Sequence, residues 1–251
     1  ATGPDAELGA DLIASALAVG NVSISTGDSG VQDGTLEIQA EITSNSANEL
    51  SLDADGQISQ TAPIRVARLH VDTNTSANAV LDHPANDVND FRTGLVSGLH
   101  LRDVDDVSIA GGSTNSLARI EADTVTQSAA VSWSNAQLDV TSVVLDAPGN
   151  SFGSVLFLAA ADDATIHSAA PLTFGGATVD GDLTVTADGP IGQTGGGSTV
   201  QVAGTTTLAA PGSDITLGSD ANDFATVTVT AARNVTMRDA NALQAGALSA
   251  A

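Results

Sequence analysis

The residues of this chain with the means for chemistry are its carboxylates, and they gather at turns. Acidic residues number 30 against 7 basic ones, all Arg, with four His and neither Lys nor Cys. In "LGSDANDFATVTV" (217–229) two aspartates flank an asparagine ahead of a Thr/Val run, and "DADG" (53–56) and "DGD" (180–182) repeat the theme. Hard cations such as calcium take several oxygen ligands, so each stretch has the right atoms. The pairs Asp105-Asp106 and Asp162-Asp163 hold the two carboxyls that glycoside hydrolysis needs at about 5 to 10 Å.

Each assignment lacks a further requirement. The corner at 222–223 has equivalents in Asn86-Asp87 and Asn150-Ser151, so no ligand set recurs, and an Asn or Asp capping its own turn is the simpler account. "DADG" and "DGD" do not run on to the glutamate of an EF-hand loop, and the glycine-rich calcium nonapeptide is absent. Depolymerising enzymes built on stacked β-coils add a Gly-His-Gly and a basic substrate clamp. Here His70, His83, His100 and His167 are scattered and Lys is missing. No catalytic, cofactor or metal residue is therefore assigned and no enzyme is expected; calcium is the only cofactor that the acidity keeps in view.

A net charge of −23 repels phosphate backbones and anionic lipid, which argues against nucleic acid as a partner. No apolar run approaches the ~20 residues of a membrane span, so direct membrane insertion is not expected. Without cysteine there are no disulfides, thiolate metal sites or thiol nucleophiles. Aromatic residues are 2% of the chain, so a core has to stack Ala, Val, Leu and Ile.

The elements that position these residues repeat. "LSLDADGQISQT" (from Leu50), "LARIEADTVTQS" (from Leu117) and "LTVTADGPIGQT" (from Leu183) share Leu, an aliphatic, Ala-Asp, an aliphatic and Gln, with a period of about 66 residues. In phase with them run "LDHPANDV" (from Leu81), "LDAPGNSF" (from Leu145) and "LGSDANDF" (from Leu217). Within each period, short runs such as "GTLEIQAEI", "AQLDVTSVVL" and "DITLG" are apolar at alternate positions and punctuated by Gly, Asn, Asp or Pro. Only "AELGADLIASALAVG" has helical periodicity, with Leu8, Leu12, Ile13 and Leu17 as its apolar face.

Short strands at a fixed interval predict an all-β solenoid whose parallel coils stack at ~4.8 Å. Three coils of roughly 22 residues per period give about 11 coils and a rod on the order of 50 Å long. Residues 1–19 form a lead-in with the short helix, and residues 20–251 form a single β-helix repeat domain cut off within a further repeat, the pattern of a fragment. An open coil edge at that end invites end-to-end self-association.

The motifs "LTVTADGPIGQT", "VAGTTTLAAPGSDITLGSDANDFATVTV" and "ARNVTMRDANALQAGAL", with the lead-in "LIASALAVGNVSISTG", resemble the repeats of filamentous haemagglutinin-type bacterial adhesins, which are exported by two-partner secretion. That resemblance implies a right-handed parallel β-helix and a secreted or cell-surface location. It also implies passage through an outer-membrane transporter and a structural stalk or fibre serving adhesion or biofilm-matrix cohesion as a rigid spacer. Partners would then be extracellular polysaccharide or a host or neighbouring cell surface. The alternative is an exopolysaccharide-binding β-helix module. For ligand contact the candidates are Trp133, a stacking ring for a sugar or an inward packing residue, and His83, Asp87, Asp90 and Arg92 of the expanded connection 83–94. Phe91, Phe152, Phe157, Phe174 and Phe224 read as core or corner plugs.

Overall fold

The computed structural model describes residues 6–27, 34–73, 77–195 and 197–250. The chain divides into two compact units, one up to Asp123 and one from Thr124 onward. Each is a parallel β-solenoid, and all the strand pairings described are parallel.

In the first unit one column of stacked positions runs Val22, Leu50, Leu69, Phe91, Ile109, and a second runs Leu36, Ile58, Ala79, Leu99, Ala118. In the second unit a column runs Val143, Ala164, Leu183, Thr206, Val227 and another runs Leu172, Ile191, Ile215, Val235. Strand pleating explains these columns: successive side chains point to opposite faces, so an alternating apolar run buries every second residue against its equivalent one coil away. The strand Leu183–Ala187 shows the result, with Leu183, Val185 and Ala187 buried between half-buried threonines. Coil lengths vary from 18 residues (Leu156 to Phe174) to 28 (Val22 to Leu50), around the expected ~22.

The helix α1 (Ala10–Leu17) lies against the strand Ile42–Ala54. Its buried face is narrower than the periodicity predicts: Ile13 and Leu17 are buried one turn apart, whereas Leu12 is 62% exposed and Leu8 precedes the helix. Asn48 Nδ2 donates to the Leu17 carbonyl at 2.7 Å, satisfying a group that a helix end leaves free.

Four of the five phenylalanines fill the core, Phe91, Phe152, Phe174 and Phe224 all being fully buried. Phe157 departs from the expectation and is 46% exposed. Alternation accounts for this: Leu156 and Leu158 on either side take the inward positions, which sends Phe157 out.

The abundance of Asp next to Gly also has a physical cause. Asp163 Oδ1 accepts the backbone N–H of Asp182 at 2.7 Å, and Asp182 Oδ1 in turn accepts that of Thr205 at 2.6 Å. A glycine precedes each of these donors, and a Cβ at Gly181 or Gly204 would overlap the carboxylate and the backbone beneath it. A Gly204→Ala variant is expected to lose about 1–3 kcal/mol, read as a lower denaturant midpoint, because the Asp182 carboxylate must leave its backbone partner. An unchanged midpoint would mean that the carboxylate does no structural work there.

Candidate functional site

The two sequence signatures that recur in every period meet in space. Gln60, Gln127 and Gln193, from the first signature, pair with Asn86, Asn150 and Asn222 from the corners. The glutamine Nε2 donates to the asparagine Oδ1 at 2.8, 2.9 and 2.9 Å, and the asparagine Nδ2 donates back to the glutamine Oε1 at 3.1, 2.7 and 3.0 Å. Each asparagine oxygen also accepts a backbone N–H one coil earlier, from Ile64, Val131 or Val200 at 2.9 to 3.0 Å. Each Nδ2 donates as well to the carbonyl of its own corner leucine, Leu81, Leu145 or Leu217.

The three asparagines are at most 1% exposed, so these bonds are made away from competing water. The corner is therefore a turn, as its composition indicates, and its asparagine both caps that turn through the leucine carbonyl and bonds the preceding coil. Backbone bonds close it, from the asparagine N–H to the carbonyl three residues back at His83, Ala147 or Ser219. The side chain is free to reach inward and latch the coil to its predecessor.

A third recurring position completes the corner. Asp103 Oδ2 accepts the N–H of Val88 at 2.9 Å, and Asp239 Oδ1 accepts that of Phe224 at 3.0 Å. In the middle copy the place is taken by buried Ser168, whose Oγ accepts the Ala170 N–H at 3.3 Å as Asp103 Oδ1 accepts that of Asp105. Asp103 is 6% exposed, and burial pushes its carboxyl up to about 7, with the neighbouring Asp105 charge adding to the rise. Nothing in its local sequence marks this group beyond its place one coil after the corner.

All seven arginines are engaged. Arg65 pairs with Glu41, Arg68 with Asp90, Arg92 with Glu49, Arg102 and Arg119 with Glu121, Arg233 with Asp214 and Arg238 with Asp220. His100 also reaches Glu121, at 3.0 Å. The Arg92–Glu49 pair is bidentate, at 2.9 and 2.7 Å, and spans the coil that carries His70. Its hydrogen bonds hold the Glu49 carboxyl below the usual carboxylate range. Desolvation, aided by the Arg92 charge, holds His70 low.

The residues singled out for ligand contact do not form one site. Trp133 is 2% exposed and packs edge-on against Phe152 with ring centroids 6.0 Å apart, so it is core and presents no ring to a sugar. His83 turns back on its own corner, accepting the Ala85 N–H at 3.2 Å. Asp87 stands in register with Arg65, while Asp90 and Arg92 lie on the strand Asp87–Thr93 and face Arg68 and Glu49. Among the described residues no three His, Asp or Glu side chains converge closely enough to hold a metal ion.

A family model described as repeats of unknown function (DUF5649) matches residues 96–159 and 161–231, together more than half of the chain. No curated protein and no solved structure matches the chain.

Proposed function

The chain belongs to the DUF5649 repeats, and on that footing we propose that it serves as a structural spacer, the stalk segment of a secreted bacterial surface adhesin of the filamentous haemagglutinin type. The observation that carries this reading is the buried Gln–Asn latch, which returns once per period where a binding protein would vary its residues. The side chains that recur are those that fasten one coil to the next, and the arginines are engaged within the chain. Such a chain holds a length and is not an enzyme. In this reading it acts outside the cell after export through an outer-membrane transporter, and supports adhesion or matrix cohesion by distance and stiffness. The excess of carboxylate keeps neighbouring stalks apart in solution.

Lengthening tests it. Duplicating the period between the equivalent points Leu145 and Leu217 should lengthen the second unit by about 14 Å, three coil spacings, read in small-angle scattering as added length without added cross-section. Growth in cross-section would overturn the spacer reading. The exopolysaccharide module, in the form that uses Trp133, has no exposed ring to work with.

A further inference from the structure

We propose that the strand Val200–Ala209 is a yielding joint of the second unit, a coil that opens before the coils preceding it because it buries the hydroxyl of Thr206 in an apolar wall. The use of such a joint rests on the spacer reading, in which a stalk under load lengthens at one defined coil. The opening itself is measured apart from that reading.

Thr206 is fully buried, and among the described residues it is the one buried polar side chain with an atom lacking a hydrogen-bond partner. Other buried polar groups are engaged: Asn86, Asn150 and Asn222 in the latches, Asp103 and Ser168 beside the corners. Thr206 stands in register between Leu183 of the preceding coil and Val227 of the following one, in a column whose earlier members, Val143 and Ala164, are also apolar. Val185 and Leu208, the next inward residues along two of these strands, are buried as well. An internal water could satisfy the hydroxyl only with further polar partners, and these side chains offer none. The coil is therefore weakened by the desolvation of a hydroxyl, a loss that a valine in its place would not incur.

Two further features lie on the same strand. Its register with the strand Asp223–Ala232 is interrupted between Val202 and Thr205 and again between Leu208 and Ala209, whereas the pairing of Ala164–Ser168 with Leu183–Ala187 runs unbroken. Gly204 lies in its interior, where the missing side chain removes packing. The flanks are nevertheless fastened. The Val200 N–H is held by Asn222, the Thr205 N–H by Asp182 and the Ala210 N–H by the Ala231 carbonyl. The segment between Thr205 and Ala210 can thus part from the next coil while both flanks stay attached. Because a solenoid is held by nearest-neighbour contacts, a deficit at one coil is expressed there and not spread evenly over the stack.

Native-state hydrogen exchange on the whole chain, read residue by residue, tests this with Thr206→Val as the variant. In the unsubstituted protein the amides of Thr206, Thr207 and Leu208 should exchange about tenfold faster, after correction for intrinsic rates, than those of Ile166 and Val185 in the preceding coils. Thr206→Val should slow the three about tenfold and leave Ile166 and Val185 unchanged. Thr207→Val, on the outward side of the same strand, controls for the strand preference of valine and should leave every rate alone. Equal protection of these strands before substitution, no slowing or a uniform slowing with Thr206→Val, or the same slowing with Thr207→Val overturns the joint. A second unit that lengthens in scattering but shows no local opening keeps the spacer and loses the joint; one that opens locally but fails the scattering test has a weak coil and no spacer for it to serve.

Discussion

Replacing Asn150 by alanine is expected to destabilise the second unit by about 3–5 kcal/mol, a larger loss than its small volume suggests. The side chain is fully buried and engages Gln127 reciprocally, the Val131 N–H and the Leu145 carbonyl. Its removal orphans the Val131 N–H and one bond of Leu145, and leaves Gln127 with only Ala129 and Ala147 as partners. Each buried polar group stranded in this way costs about 1–3 kcal/mol. Asn150→Asp should be worse at neutral pH, since it replaces two donated bonds with a buried charge facing carbonyl oxygens, and should partly recover in acid as the carboxyl takes a proton.

The double variant Gln127→Leu with Asn150→Leu should be milder than the sum of the two single ones, because removing both partners leaves fewer groups unpaired. Trp133, two residues beyond Val131 and buried, reports unfolding of this region by fluorescence in a denaturant titration. Additive or negligible losses would show that the latch contributes little.

The first unit should be more stable at pH 4 than at pH 7, which is unusual for a chain held by salt bridges. Asp103 is raised from 3.8 to about 7 by burial, so between those values the folded state keeps a proton that the unfolded chain has released. Stability from this group is complete below pH 4 and declines as pH rises through 7, by an amount on the order of 4 kcal/mol. Glu49 and Glu121 act in the opposite sense, since their lowered values add stability above pH 4 that acid removes, and so does His70, whose lowered value lets the unfolded chain take up its proton first as pH drops below 6.5. The glutamates are more exposed, and solvent screening reduces their share.

Hydrogen exchange in the strands Ile64–Thr73 and Asp87–Thr93, corrected for intrinsic rates, should therefore show protection falling from pH 4.5 to 7. Asp103→Ser, which installs the residue found at the equivalent place 168, should flatten that slope. A slope that survives the substitution would assign the effect to other carboxylates.

The period of about 66 residues was legible because stacking makes cognate positions chemically alike, and the strand pattern was legible because each coil buries alternate residues. Phe157 was legible in principle: in Leu156-Phe157-Leu158 three apolar residues follow one another and a pleated strand turns the middle one away from the other two. Aromatic character alone points Phe157 inward, and alternation overrides it. The inward alternation of Trp133 with Val131 was the better guide, and both are buried.

Repetition and patterning thus determined the architecture of this protein, since both are local and read along one strand at a time. The partnerships were decided by tertiary structure alone. Gln and Asn recur in phase, yet they stand 23 to 29 residues apart, and only the return of the chain one coil later brings the amides to hydrogen-bonding distance. The carboxylates tell the same story. The stack brings backbone N–H groups to Asp103, Asp163 and Asp182 and an arginine to Glu49, and unlike a free acid a carboxylate so engaged is part of the frame.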